Sequence, residues 1–219
     1  MSGRVVEIQI YSDVVCPWCY VGKRRLERAL AQGDDIQAHV TWRPFQLNPT
    51  MPSEGMDRTA YLEAKFGSLD GFRRLEAHIL AAGAAEQIPF AFEKIVRTPN
   101  TFSAHRLIWH AGRQGCQDLL VDSLFKGYFE EGADIGSLST LVRLAERAGL
   151  DAEPFLRSDE GVVEVKAEEA AGHRLGIRGV PYFLLKNTYG ISGAQPVEVF
   201  VATIEKVLAQ QTEGVVSER

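Results

Sequence analysis

The 219-residue chain is poor in cysteine, with three residues at positions 16, 19 and 116. That excludes the small secreted folds held together by disulfides. No stretch approaches the roughly 20 apolar residues of a membrane span. Neither an apolar h-region nor a small-residue cleavage site follows Met1-Ser2-Gly3-Arg4, so no signal peptide is expected and the cytoplasm is the expected compartment. Basic charge is not in excess either. A net charge of −5 argues against nucleic acid or an anionic membrane as the main partner. No second Cys/His pair stands at ligand spacing, and His105 and His110, five apart, do not share a helix face. No metal and no resident cofactor are therefore expected. A glycine-rich phosphate loop, a local Ser-His-Asp pattern, internal repeats and low-complexity segments are all missing. With 45% hydrophobic residues the chain can bury a substantial core without staples.

What is present is one chemical motif, Asp13-Val14-Val15-Cys16-Pro17-Trp18-Cys19-Tyr20. It follows a strand-like run, Val5 to Tyr11, and opens a helix-like run from Pro17 to about Gln32. Two cysteines separated by two residues at such a junction read as a redox pair. Residues three apart on a helix have Cβ atoms about 5–6 Å apart. A disulfide needs about 3.5–4.5 Å, so a first helical turn closes or opens the bond with little distortion. Pro17 suits the first helical position, where no N–H is needed. Cys16 then meets the first unpaired N–H groups and the positive end of the helix dipole, which favour thiolate over thiol. Cys19, one turn further in, is expected to be more covered. Cys16 is thus read as the attacking nucleophile and Cys19 as the resolving thiol. The blander readings are a structural disulfide, which gains little from so small a loop, and half of a zinc site, which lacks its other half.

Along the chain, Ile36, Ala38, Val40 and Trp42 alternate with polar residues and predict a second strand from Ile36 to Phe45. Lys23, Arg24, Arg25 and Arg28 form a charged face on the intervening helix, expected to be solvated. A proline-rich connection, Pro44 to Pro52, marks a boundary. From Asp57 to about Gly176 the pattern is helical throughout, with no strand expected. Candidate helices are Thr59–Phe66, Leu69–Ala82, Thr101–Gln114, Cys116–Phe129, Ser137–Ala148 and Asp159–Leu175. Strand character returns at Val180 to Leu185, with a turn at Lys186-Asn187-Thr188 and a hairpin partner Tyr189 to Ser192. A last helix starts at Pro196, and a loose tail is expected at the C-terminus. The predicted fold is α/β: a thioredoxin-like fold with a large all-helical domain inserted between its N-terminal βαβ and C-terminal ββα parts. In residues, 1–50 and 176–212 make the thioredoxin-like domain, 51–175 the insert and 213–219 a flexible tail.

Five stretches carry a resemblance. They are Ser12 to Lys23, Pro44-Phe45-Gln46-Leu47-Asn48-Pro49, Asn100 to Arg106, Gly176-Ile177-Arg178-Gly179-Val180-Pro181-Tyr182-Phe183 and Ile191 to Gln195. In this order they resemble the DsbA-like thioredoxin superfamily, and within it the FrnE-like oxidoreductases. The resemblance implies thiol–disulfide exchange at Cys16 and Cys19 and a cis peptide bond at Val180–Pro181. It implies that the loop Gly179-Val180-Pro181 binds substrate through its backbone. It also implies a disulfide- or dithiol-bearing protein or small molecule as partner, with glutathione as a redox partner; a homodimer is left open. Two departures stand out. Where many relatives keep a buried carboxylate in the first strand, this chain has Ile10, so Asp13 is the nearest acid, expected to end the strand or cap the helix. Where DsbA has Pro-His, this chain has Pro17-Trp18, with no positive charge to offer the Cys16 thiolate. The reduction potential is therefore expected below DsbA's roughly −120 mV, nearer the glutaredoxin range of about −200 to −230 mV.

The rival is a glutathione-dependent isomerase or transferase resembling the 2-hydroxychromene-2-carboxylate isomerases and kappa-class transferases, which carry serine where this chain has Cys16. A non-catalytic binding or chaperone-like module is the alternative from another class. Phe45, Leu47, Phe102 and Tyr182 are candidates for an apolar groove, with core packing the simpler reading. Cys116 is read as a small buried residue. His105 lies in one of the motif stretches and is placed to approach the active site, with a packing or solvated role the simpler reading.

Overall fold

The computed structural model describes residues 4–33 and 35–216, with side chains as far as Gln210. Strand β1 (Arg4–Ser12) passes through a turn, closed by the Cys16 N–H on the Asp13 carbonyl at 3.0 Å, into helix α1 (Pro17–Leu30). Strand β2 (Ile36–Pro44) returns parallel to β1, in register from Arg4 opposite Ile36 to Ser12 opposite Pro44. Strand, helix and parallel strand form the expected βαβ unit.

The chain then builds β3 (Met56–Asp57), α2 (Arg58–Phe66), α3 (Leu69–Ala85), β4 (Arg97–Thr98), α4 (Phe102–Arg113) and α5 (Gln117–Phe129). Next come α6 (Leu138–Arg147), α7 (Glu153–Leu156) and α8 (Val162–Arg174). It closes with β5 (Tyr182–Leu185), β6 (Tyr189–Ser192) and α9 (Val197–Val216). The main sheet runs β2-β1-β5-β6, with β5 antiparallel to β1 and to β6. Lys186 and Asn187 both take positive φ in the three-residue loop Lys186-Asn187-Thr188 that joins β5 to β6, with Leu185 paired to Tyr189.

Ile8 and Ile10 of β1 share one sheet face with Phe183 of β5 and are fully buried there. Helix α9 seals that face, its Phe200 edge-on to Phe183 at 4.8 Å. Helix α8 covers the opposite face, with Gly172 seated on the Tyr11 ring, where a Cβ would come within 2.7 Å. The buried core runs from the sheet into the helical segment without a break. Tyr20 of α1 stacks on Phe125 of α5 at 5.0 Å, and Phe90, Phe92 and Phe129 extend the aromatic block. The Gln117 amide closes the free edge of β2, accepting from Trp42 N–H at 2.9 Å and donating to its carbonyl at 3.2 Å.

Four expectations need correction. The helical segment contains strands after all: β3 and β4 pair antiparallel over two residues each, too short to carry an alternating pattern. Helix α7, a single turn, also escapes a periodicity test. The tail does not begin at residue 213, because α9 continues to Val216; the run Ala209-Gln210-Gln211 holds nothing that stops a helix. Residues 217–219 lie outside the described ones. Finally, the basic face of α1 is largely packed rather than solvated, with Arg28 alone of the four still exposed. Lys23 is buried against Glu27 and Asp118, Arg24 meets Asp122 at 2.7 Å, and Arg25 and Arg28 both hold Glu86 at 2.9 and 2.7 Å. Acids on α5 and just past α3 convert the polar face into a packed interface.

Candidate active site

The sequence places Cys16 at the end of a strand and before a proline, and the structure makes it the N-cap of α1 with Pro17 in the first turn. No side chain caps this helix end. The positive end of the helix dipole lies at this terminus, where Cys16 is the N-cap residue. Asp13 does not cap the helix as expected. Its Oδ2 accepts from the Leu47 N–H at 2.8 Å and ties the end of β1 to the segment after β2.

Cys16 and Cys19 are free thiols in contact with each other. Cys19 is the more covered, as expected, but the margin is small: 1% exposure against 5% for Cys16. Burial pushes the Cys19 thiol well above the ordinary thiol range, and the neighbouring Cys16 adds to the rise. The Ser12 hydroxyl and the Asp13 backbone act in the opposite sense on Cys19. Ser12 Oγ is buried near Cys19 with no hydrogen-bond partner among the described residues.

The Val180–Pro181 bond is cis. It brings the Val180 carbonyl oxygen to 3.6 Å from Cys16 Sγ. Pro181 is buried, Val180 half-buried and Gly179 exposed. Gly22, on the second turn of α1, makes room for this loop: a Cβ there would lie 2.9 Å from the Phe183 ring and 3.2 Å from Pro181.

His105 takes the less simple of its two readings and lies close to the site. It is buried on α4 with Nε2 3.3 Å from Asp13 Oδ1, both side chains being at most 2% exposed. The signal was its place in the Asn100 to Arg106 stretch. Ile10 is a core residue, so Asp13 is indeed the buried acid of the first strand's end. Of the proposed groove residues, Leu47 lines a cavity together with Cys16. Phe45 packs with Tyr11 and Ile177, and Phe102 lies under Lys166 away from the thiols. Cys116 is the N-cap of α5, half-buried, with Sγ 3.8 Å from the Ala111 carbonyl.

A cavity of about 240 Å³ opens beside Cys16, between the start of α1 and the α2–α3 pair. Val15, Pro17 and Trp18 form one side, and Leu62, Phe72 and Phe92 the other. Tyr128 closes its floor, and burial pushes this phenol up to about 12. A larger and more open cavity of about 590 Å³ shares Arg58 and Phe72 but reaches neither Cys16 nor Cys19.

Residues 7–205 match the DSBA-like thioredoxin domain. The chain belongs to that family. Among solved structures, this DsbA-like chain is similar to a probable DsbA oxidoreductase, SCO1869, from Streptomyces coelicolor. The two are 35% identical with a TM-score of 0.85, covering 93% of this chain and 90% of the other. A 2-hydroxychromene-2-carboxylate isomerase shares the fold at 16% identity, with a TM-score of 0.71, covering 94% and 98%. The cytosolic disulfide reductase DsbM from Pseudomonas aeruginosa, solved with GSH, shares it at 16% identity. Its TM-score is 0.64, covering 93% and 99%. Among the described residues no helix is long and apolar enough to cross a membrane.

Proposed function

We propose that this DsbA-like chain is a thiol–disulfide oxidoreductase whose Cys16–Cys19 pair exchanges with disulfides or dithiols of protein or small-molecule partners. The observation that carries this reading is the placement of two contacting thiols. One sits at a helix N-terminus against the cis-proline loop, and the other is buried behind it. In the reducing direction, Cys16 thiolate attacks one sulfur of a substrate disulfide and expels the other as thiolate. Cys19 loses its proton and attacks Cys16 Sγ. The Cys16–Cys19 bond forms and the second substrate thiol leaves. The protein is oxidised by two electrons and the substrate is reduced by two; the reverse sequence oxidises a dithiol.

Pro17 and Trp18 complete the motif, and Gly179, Val180 and Pro181 offer backbone to the bound substrate. No further cofactor is needed. Glutathione as a redox partner is supported by the relative that holds GSH, and a cytoplasmic location by that relative's cytosolic description. Membership of the FrnE-like group rests on the five motif stretches. The isomerase likeness is one of fold, and a pair of contacting cysteines suits redox chemistry better than a serine-type glutathione site.

The test is to treat the Cys19→Ser variant with oxidised glutathione and map adducts by mass spectrometry. A stable glutathione adduct on Cys16 is expected, while the wild type passes through it to an internal disulfide. An adduct absent from Cys16, or confined to Cys116, contradicts the assignment.

A further inference from the structure

The cavity beside Cys16 differs in charge from the rest of the chain. The protein has 29 acidic and 24 basic residues, yet the cavity lining includes Arg58, Lys65 and His78 and no aspartate or glutamate. Arg58 and Lys65 stand seven apart on α2 and share the face that looks into the cavity. Both are held by aromatic groups where the arginines of α1 are held by carboxylates. Arg58 Cζ lies 5.6 Å over the Phe72 ring and 5.9 Å over Phe92, and its Nη1 donates to Tyr128 Oη at 3.3 Å. Lys65 Nζ lies 5.2 Å over the Tyr61 ring and donates to its hydroxyl at 2.7 Å. Rings and phenols position a cation without neutralising it. The guanidinium fork keeps further donors for a planar anion.

We propose that this cavity binds a compact, largely apolar molecule bearing one anionic group, with Arg58 reading the anion and the apolar walls holding the body beside Cys16. The volume sets the size class. At about 240 Å³ it falls below the roughly 300–1,000 Å³ of drug-sized sites. A single ring or short chain fits, and a folded peptide loop does not. Where the molecule carries a disulfide, Cys16 attacks it and Cys19 completes the exchange, releasing both halves as thiols; this part rests on the proposed function, while the binding itself does not.

The experiment separates the two. Trp18 lines the cavity and reports on it by fluorescence. Titrating the protein with 4-nitrobenzoate and with its neutral isostere 4-nitrobenzamide should show the acid quenching about tenfold more tightly, as a charge-assisted contact allows. Arg58→Gln should erase the preference while leaving amide affinity within about twofold. Arg58→Lys, which keeps the charge, should retain part of it. Equal affinities in the wild type, selectivity that survives Arg58→Gln, or quenching by neither probe overturns the site. The same ratio is then read in rates of oxidation of the dithiol by 5,5′-dithiobis(2-nitrobenzoate) and by neutral 4,4′-dithiodipyridine. Selective binding without any Cys16-dependent reaction would overturn the exchange function and leave the binding site standing.

Discussion

Cys16 Sγ and the Val180 carbonyl oxygen lie 3.6 Å apart, although 164 positions separate the two residues in sequence. That proximity joins the two halves of the site. The βαβ unit supplies the thiols, and the strand that returns after the long helical segment supplies the loop beside them. The consequences of this arrangement can be measured one residue at a time.

Gly22 is where the approach of the loop is most exposed to a single change. A methyl group there meets Phe183 and Pro181 together. Gly22→Ala should cost about 1–3 kcal/mol of stability, the usual penalty of overpacking. It should also slow exchange by moving Pro181 away from Cys16. Urea denaturation and disulfide-reduction rates on the same preparation read both effects; full stability with full activity would show that the contact is slack.

Burial keeps Cys19 protonated well past the range of a free thiol. The sign follows from proton counts. Its folded-state pKa lies above the unfolded value of about 8.5, so above that pH the unfolded chain releases this proton first. Stability of the reduced form from this group is complete below pH 8.5 and is lost as pH rises, by up to about 1.4 kcal/mol per pH unit. Denaturant midpoints between pH 8 and 10 should fall more steeply for the reduced wild type than for Cys19→Ala.

Ser12 works against that burial. Its hydroxyl is buried without a hydrogen-bond partner beside Cys19 and acts on that thiol in the sense that favours the thiolate. Ser12→Ala should slow resolution of a Cys16 mixed disulfide about tenfold, the worth of one hydrogen bond to a charged group. Formation of that mixed disulfide should be little changed. Stopped-flow release of the second thiol separates the two steps.

Asp13 is a structural tie between β1 and the segment after β2, through Leu47 N–H, and is buried beside His105. Asp13→Ala should destabilise the protein by about 1–3 kcal/mol, because it leaves the part-buried Leu47 N–H without its acceptor. Asp13→Asn keeps an acceptor for Leu47 and should cost less. Equal losses for the two variants would mean that the charge, and not the tie, matters.

The Cys16/Cys19 spacing at a strand–helix junction and the order of strands and helices along the chain were legible from local signals, and the cis Val180–Pro181 bond through the family resemblance. A CxxC at a strand–helix junction, period-2 alternation and a run of motif residues need no knowledge of distant partners. What was illegible depended on what packs on what. Lys23 sits on a helix face that reads as solvated, and only Asp118 on α5 shows why it is buried. His105 gives no local sign that Asp13, far away in sequence, lies 3.3 Å off. The cavity is assembled from α1, α2, α3 and α5, so no single stretch announces it. Strands β3 and β4 are two residues long and carry no period to detect.

The central claim is that Cys16 and Cys19 form one reversible redox couple. The measurement is an equilibrium titration of the protein against reduced and oxidised glutathione, followed by tryptophan fluorescence and checked by thiol counting. The account predicts a two-electron transition that vanishes in Cys16→Ser. Because Trp18 brings no charge to the thiolate, its midpoint should lie below about −120 mV, nearer about −200 to −230 mV. A couple that never closes, ending in a stable glutathione adduct with Cys19 unreacted, would contradict it.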